Sequence, residues 1–334
     1  MQKFLIIQTA FIGDVVLATP LIEKLHDFFP GAQIDFLLRK GNEKLFIDHP
    51  FIHSVLIWDK KKNKKRNLFR VLATIRKNKY DKVINVQRFF ATGVLTAFSR
   101  AKETIGFDKN PLSFLFSKVV KHVVGGTAAV HETQRNLKLI LDFTDVSIYK
   151  PKLYPSQKDF DFVGKWAANK FITVSPASVW FTKQFPADKW GSFIRHVPPE
   201  YEIYLLGGPG DISFCNGIKE SCNRSGVEVL AGLLSFLESA ALMTRAIMNY
   251  VNDSAPMHFA SAVNAPVTAV YCSTIPEFGF GPLSDIRHVV EIDKPLYCRP
   301  CGLHGYSSCP EKHFKCALEI ENDQLMVTLQ DRFS

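Results

Sequence analysis

The sequence alternates short apolar segments rich in β-branched residues with longer amphipathic stretches, and it does so in two successive halves. Such alternation is typical of β-α-β units on a parallel sheet. The first half predicts strands at 3–7, 33–38, 54–57 and 82–86. The second half predicts strands at 171–174, 202–206, 227–230, 247–251 and 267–271. We therefore expect an α/β chain with two doubly wound domains.

Helical periodicity and turn residues complete this pattern. One predicted helix begins near Asp14 and ends before Gly31, and two others span 68–78 and 131–143. The segment 149–155 holds two prolines and no periodicity, which predicts a linker between domains at 1–150 and 151–334. Ligands of doubly wound sheets bind beyond the carboxyl ends of the strands, so the loops there are the candidates for chemistry.

The charge of the chain is concentrated in one segment. The 334 residues carry 41 basic and 32 acidic side chains, and the whole excess of +9 lies between Asp59 and Lys82. A local basic patch predicts a negatively charged partner: nucleic acid, an anionic membrane or a phosphorylated substrate. The alternative is a solvated helix face and loop.

Targeting signals and cysteine usage indicate a compartment. Gln8 and Asp14 interrupt the apolar start, so we expect no signal peptide, and any membrane contact is expected to be peripheral. Seven cysteines, an odd number, favour a reducing compartment, and we expect the cytoplasm.

Polar residues come after the first predicted strand in each half. The loop before Asp14 lacks the glycine pattern of dinucleotide sites and P-loops, which argues against a dehydrogenase or a nucleotide kinase. Asp14 is then either an acid favoured by the helix dipole or a general base. Lys183 is either a solvated lysine or a contact for phosphate.

Two further loops in the second half suit an anionic ligand. A glycine-rich turn ends at Asp211, although such turns are common. Asp253 or Ser254 is predicted to cap a helix whose N-terminus would accept a diphosphate. His258, one turn later, is either an ordinary helix histidine or a group against the phosphates.

Four motifs occur in one order: Gly13-Asp14-Val15 with Ala18-Thr19-Pro20, the segment 180–186 with Trp190, the segment 252–258, and a late cysteine cluster. Their order and spacing resemble the ADP-heptose:lipopolysaccharide heptosyltransferases, glycosyltransferase family nine, over nearly the whole chain. The resemblance implies a GT-B fold, in which two Rossmann-like domains face each other across a cleft. It also implies inverting, metal-independent transfer of a heptose from ADP-heptose to the lipid A-linked inner core of lipopolysaccharide.

The resemblance also assigns roles. Asp14 matches the general base and Lys183 the lysine that steadies the diphosphate. The remaining donor-binding positions are Ser178, Asp211, Asp253, Ser254 and His258. The N-terminal domain is then the acceptor domain and the C-terminal domain the donor domain. Ala255 replaces a glycine usual in the family, which leaves the donor sugar open.

The acceptor implied by the family gives the basic segment a partner. We expect Lys60, Lys61, Lys64 and Lys65 to meet a phosphorylated glycolipid or the anionic inner membrane, with the enzyme peripheral on its cytoplasmic face. The donor half from residue 161 carries 14 basic and 18 acidic residues, which fits this division.

Other functions compete with this interpretation. The nearest is a GT-B transferase with another nucleotide sugar or another glycolipid. A nucleic-acid-binding module is a distant alternative, because the basic segment has few aromatic residues, and we expect no nucleic acid partner. Asp159 and Asp161 form a D-x-D pattern, which first-turn helix acids explain better than a metal-bound sugar nucleotide.

A cysteine cluster near the C-terminus has C-x2-C-x7-C-x6-C spacing, with two histidines among the cysteines. It consists of Cys298, Cys301, Cys309 and Cys316. This spacing allows a structural zinc ion, two disulfides or free thiols, while we expect the transfer itself to need no cofactor.

Overall fold

The computed structural model describes residues 1–125 and 130–330, which divide into two compact units. Unit 1 is Met1–Tyr154 and unit 2 is Pro155–Ser334. Each unit contains a parallel sheet of six strands, so the predicted α/β class is confirmed.

Unit 1 is a sheet with helices on its faces. Its strands are β1 Lys3–Ile7, β2 Gln33–Arg39, β3 Ser54–Trp58, β4 Lys82–Asn85, β5 Glu103–Phe107 and β6 Lys118–Val120. Its helices are α1 Ile12–Leu17, α2 Thr19–Phe28, α3 Lys64–Asn78, α4 Phe90–Ala97 and α5 Glu132–Leu137. Short 3-10 turns lie at Glu43–Phe46, Ser113–Leu115 and Lys138–Phe143.

Unit 2 repeats this plan. Its strands are β7 Phe171–Ser175, β8 Glu202–Leu205, β9 Val227–Val229, β10 Asn249–Asn252, β11 Val267–Tyr271 and β12 Arg287–Glu291. Its helices are α6 Gln157–Val163, α7 Ala187–His196, α8 Ile212–Cys222, α9 Phe236–Arg245, α10 Ala255–Ala262, α11 Lys315–Leu318 and α12 Asn322–Gln330. Its 3-10 turns are Gly164–Trp166, Phe181–Lys183, Pro209–Asp211 and Pro276–Phe278.

The two sheets share one strand order. In unit 1 the order is β3-β2-β1-β4-β5-β6, and in unit 2 it is β9-β8-β7-β10-β11-β12. The connections reverse direction between β1 and β4, and again between β7 and β10. In open α/β sheets such a switch point opens a crevice at the carboxyl ends of its two strands. The loops after these four strands are therefore the ones that the fold places at a binding position.

The first predicted helix is wrong as a single element, because the structure divides it at Ala18 into α1 and α2. Pro20 has no N–H to donate to Val16, and the Thr19 hydroxyl donates to the Val16 carbonyl instead, at 2.7 Å. A new helix then starts with proline in its first turn, where the missing donor costs nothing.

Other element boundaries shift by smaller amounts. The predicted helix 68–78 begins earlier, at Lys64, and the predicted helix 131–143 is α5 followed by a 3-10 turn. Three strands, β5, β6 and β12, were not predicted. Asp159 closes a capping box with Ser156 in the first turn of α6, as predicted for a helix acid, whereas Asp161 lies beyond the first turn and accepts a hydrogen bond from Gln157 at 2.8 Å.

Candidate functional site

The loop after β1, at the switch point of unit 1, carries Asp14. The chain leaves β1 through Gln8 and Thr9, both buried, and enters α1, where Asp14 lies in the first turn and is partly exposed. A carboxylate at this position is favoured by the helix dipole and is set on a short, defined turn. Asp14 is thus held on rigid structure at the edge where ligands bind, as a general base requires.

Three side chains from neighbouring strand ends hold this loop. Gln87, which comes after β4, donates to the Gln8 side-chain oxygen. Asn42, after β2, donates from its side-chain amide to the Ala10 carbonyl at 3.2 Å. Lys60, after β3, donates to the Thr9 carbonyl at 2.7 Å and to the Thr9 hydroxyl at 2.9 Å. The geometry of the Asp14 loop therefore depends on contacts from three other loops.

The position of Lys60 differs from the sequence expectation. Its ammonium lies over the Trp58 ring and bonds to Thr9, so it supports the Asp14 loop and does not belong to an exposed lysine patch. Burial, together with the nearby charges of Arg39 and Lys64, lowers the pKa of Lys60 to about 8. The other three lysines of that group, Lys61, Lys64 and Lys65, are exposed.

In unit 2, the switch point brings two predicted residues into direct contact. Lys183, in the turn after β7, places its Nζ 2.6 Å from Oδ2 of Asp253, which directly succeeds β10. The same oxygen accepts a hydrogen bond of 2.6 Å from the Thr274 hydroxyl, after β11. Both partners of the ion pair are largely buried. The ion pair therefore lies in the loops at the carboxyl end of the unit 2 sheet, the edge at which such sheets bind ligands.

Asn252 fixes the relative position of the two loops. This fully buried residue accepts a hydrogen bond from the Phe185 backbone N–H at 3.0 Å and donates to the Pro176 carbonyl at 2.7 Å. It thereby joins the end of β10 to both sides of the Lys183 loop. Neither Asn252 nor Thr274 is among the residues predicted from the sequence, since only the strand order shows that β10 lies beside β7.

The remaining donor positions lie on the same edge but are not all in one contact network. The Ser178 backbone N–H donates to the Gln184 side chain at 3.1 Å, within the Lys183 loop. Ser254 precedes α10, and His258 is buried within α10. Asp211 accepts a hydrogen bond from the Gly208 N–H at 2.8 Å and closes its own turn after β8.

The cysteine cluster surrounds a cavity of about 250 Å³, which His313 also lines. Its four cysteines are not joined by disulfide bonds, and Cys298 Sγ lies 3.9 Å from His313 Nε2. Burial, reinforced by Cys301 and Cys309, raises the pKa of Cys316 to about 12. Within residues 1–125 and 130–330, no three His, Cys, Asp or Glu side chains are already arranged to hold a metal ion.

This cluster is physically joined to the Lys183 loop. The Tyr306 N–H donates to the Thr182 hydroxyl at 2.8 Å. The Cys301 N–H donates at 2.8 Å to the carbonyl of Ser273, whose hydroxyl donates to Thr182 at 3.0 Å. Gly305, at φ +74°, comes so near that a Cβ atom there would lie 2.8 Å from Thr182 Oγ1 and 3.0 Å from Lys183 Cγ. Only glycine fits this approach.

Comparison with known proteins assigns the family. The sequence profile described as glycosyltransferase family 9 (heptosyltransferase) matches residues 68–304, more than half of the chain. The chain belongs to glycosyltransferase family 9. As a member of it, the chain is a glycosyltransferase, and the resemblance drawn from the motifs is confirmed.

Relatives and solved structures agree with this assignment. The family 9 chain is 28% identical to lipopolysaccharide heptosyltransferase 3 of Escherichia coli over 283 residues, covering 79% of this chain and 82% of that protein. It is similar to the structure of E. coli ADP-heptose lps heptosyltransferase II, with a TM-score of 0.78, 18% identity and full coverage of both chains. E. coli heptosyltransferase WaaC with ADP gives a TM-score of 0.74 at 18% identity, covering 99% of this chain and 100% of that one. The predicted GT-B fold is thereby confirmed.

The low pKa of Lys60 predicts a pH effect on the stability of this glycosyltransferase. The pKa in the folded chain lies below the ordinary lysine value of 10.5, so the unfolded chain binds more protons between about pH 8 and pH 10. The free energy of unfolding of the wild type, relative to that of Lys60→Met, should therefore rise across this interval. Urea unfolding at several pH values measures it. A constant difference would contradict the burial of the ammonium, and Lys61→Met, at an exposed site, is the control.

Proposed function

We propose that this family 9 enzyme transfers a heptose from ADP-heptose to the inner core of a lipid A-linked lipopolysaccharide precursor, with inversion at the anomeric carbon. The observation that carries the proposal is the Lys183–Asp253 pair at the switch point of unit 2, with Asp14 at the switch point of unit 1. The names of the curated relatives support heptose as the sugar and lipopolysaccharide as the acceptor.

The reaction is a single displacement. The Asp14 carboxylate takes the proton from an acceptor hydroxyl, and that oxygen forms a bond to the anomeric carbon of the donor. The bond between the anomeric carbon and the phosphate oxygen breaks, and ADP leaves with its electron pair. Attack from the face opposite the leaving group inverts the anomeric centre. The proposed transfer uses no metal ion, so positive charge for the leaving diphosphate comes from the protein.

The donor side of the reaction rests on Lys183. Its ammonium is held by the Asp253 carboxylate, which orients it and offsets part of its positive charge. We propose that the diphosphate binds on the exposed side of this pair, beside the N-terminus of α10, where Ser254 begins the helix. His258 lies one turn further along α10, and Ser178 and Asp211 complete the loops around the donor.

Lys183→Met is expected to weaken binding of ADP-heptose by at least about tenfold and to lower kcat, because the diphosphate loses its cation. Calorimetry with ADP-, UDP-, GDP- and CMP-sugars on wild type and variant measures this effect and identifies the nucleotide. Lys189→Met, on α7, is the matched control. Equal donor affinity in the Lys183 variant, or preference for another nucleotide sugar, would contradict the proposal.

Asp14→Asn is expected to reduce kcat by at least about a hundredfold while ADP-heptose affinity stays within about twofold, since the amide cannot accept the proton. Mass spectrometry of the lipid acceptor measures transfer, and calorimetry measures the donor. Asp27→Asn, at the end of α2 in the same unit, controls for loss of a carboxylate. An active Asp14→Asn enzyme would remove Asp14 as the base.

The acceptor implies work at a membrane surface. No helix among the residues that the structure describes is long and apolar enough to cross a membrane. We propose that the enzyme lies in the cytoplasm, peripherally on the inner membrane, and receives a phosphorylated glycolipid there. The positive charge of the segment from Asp59 to Lys82, which includes the exposed Lys61, Lys64 and Lys65, supports this location.

We propose a structural zinc ion for the cysteine cluster. Thiols and imidazole are the ligands that zinc prefers, and four thiols line one cavity with His313. Because no three of these side chains are already arranged around one ion, binding would draw them together and displace thiol protons. The Tyr306 and Cys301 hydrogen bonds would then transmit the added rigidity to the Lys183 loop.

Elemental analysis of the purified enzyme is expected to find about one zinc ion per chain. The double variant Cys298→Ser with Cys301→Ser is expected to contain none. Cys215→Ser with Cys222→Ser, on α8, is the control pair. Thermal unfolding of the zinc-free enzyme should begin at a lower temperature. Four thiols that react with a thiol reagent in the native enzyme, with no bound metal, would contradict the proposal.

A further inference from the structure

The helices α3 and α4 form the outer layer on one face of the unit 1 sheet. Leu72 and Ile75 of α3 share a core cluster with Leu95 of α4 and with Leu5 and Val83 of the strands. The Arg76 side chain also donates to the Phe98 carbonyl, just after α4, at 2.7 Å. The outward surfaces of the two helices are therefore adjacent.

The helix α4 buries its threonines together with Leu95 and leaves large apolar side chains exposed at its ends. Its polar residues Thr92 and Thr96 are buried, and their hydroxyls donate to carbonyls of Phe89 and Thr92, each at 2.8 Å. Phe90 is 61% exposed and Phe98 47% exposed. α4 has no charged residue. Surface helices normally place charged side chains outward and apolar side chains inward, so the outer face of α4 is unusually apolar for a surface in contact with water.

The adjacent helix α3 supplies positive charge and one further aromatic ring. It contains no acid, and its basic residues are Lys64, Lys65, Arg66, Arg70, Arg76 and Lys77. Phe69, between Arg66 and Arg70, is 65% exposed.

Helical geometry places the rings of Phe69 and Phe90 at the same level. Phe69 precedes Arg76 by seven residues, or about two turns, so both lie on the flank of α3 that faces α4. Phe90 precedes Phe98 by eight residues, and the two helices run in the same direction because each comes after a parallel strand. Counting back from the contact of Arg76 with Phe98, the two rings correspond to within about one residue.

We propose that the α3–α4 face, defined as Arg66, Phe69, Arg70, Lys77, Phe90 and Phe98, is the surface by which the enzyme docks on an anionic lipid bilayer. Exposed aromatic rings beside a row of cations match the interface between acyl chains and anionic headgroups. An acidic protein partner would pair with the cations, but its charged surface would not account for three exposed phenylalanine rings. The inference rests on the proposed function at a membrane, and it assigns the contact to a face beyond the lysine run at residues 60–65.

Co-sedimentation with phosphatidylglycerol–phosphatidylethanolamine vesicles tests this face. Phe69→Gln with Phe90→Gln should weaken binding by about tenfold or more, because insertion of the rings is lost. Arg66→Glu with Arg70→Glu and Lys77→Glu should weaken it at least as much, and the wild type should bind poorly to phosphatidylcholine vesicles or at high salt. Wild-type binding by the Phe69 and Phe90 variant would overturn the proposal, as would absence of binding by the wild type.

Control variants in unit 2 show whether weaker vesicle binding comes from this face or from any loss of positive charge or exposed apolar surface. Phe162→Gln changes an exposed phenylalanine, and Lys158→Glu with Lys219→Glu and Lys294→Glu makes the same change in net charge. These variants should bind vesicles as the wild type does. Weakening equal to that of the α3–α4 variants would reduce the effect to net charge and overturn the assignment.

Donor binding distinguishes failure of this inference from failure of the proposed function. All α3–α4 variants should keep wild-type ADP-heptose affinity and thermal stability, since Lys183 and Asp253 belong to unit 2 and the changed side chains are exposed. A wild type that binds vesicles but no ADP-heptose would refute the proposed reaction and leave the docking face. A wild type that transfers heptose but binds no vesicles would support the proposed reaction and refute the docking face.

Discussion

The strand order of each sheet is the constraint on which the sites depend. A chain that starts in the middle of a parallel sheet, builds outward to one edge and then crosses back leaves two neighbouring strands whose connections go to opposite faces. The loops that follow those two strands lead to opposite faces of the sheet, and a crevice remains between them at the carboxyl ends of the strands. Asp14 occupies this position in unit 1. The pair of Lys183 and Asp253 occupies it in unit 2.

Much of this arrangement was predictable from the sequence. Buried parallel strands are near-continuous apolar runs, so β1 and β11 were predicted at their observed bounds. The candidate residues lie in the loops that succeed the predicted strands, and finding them needs no tertiary information. The missed strands β6 and β12 are edge strands that begin with a basic residue, which weakens their apolar pattern. The missed strand β5 contains Gly106, which weakens the strand pattern.

Contacts between loops were beyond the reach of sequence reasoning. A lysine in a run of lysines has no local signal that it will turn inward, and Lys60 does so only because the β3 end lies near Thr9. The partnership of Lys183 with Asp253 spans seventy residues and results from β7 lying beside β10. The exposed Phe90 and Phe98, at the two ends of α4, were also missed, because helical patterns normally place such apolar side chains inward.

The approach of Gly305 to Lys183 has a consequence for how this enzyme tolerates change. A side chain at residue 305 would collide with Thr182 and with the aliphatic stem of Lys183, although residue 305 itself has no functional group to offer a substrate. In a survey of single substitutions, changes at residue 305 would therefore act like changes in the Lys183 loop. The position of the Lys183 side chain thus depends partly on the missing side chain of Gly305, more than a hundred residues away along the chain.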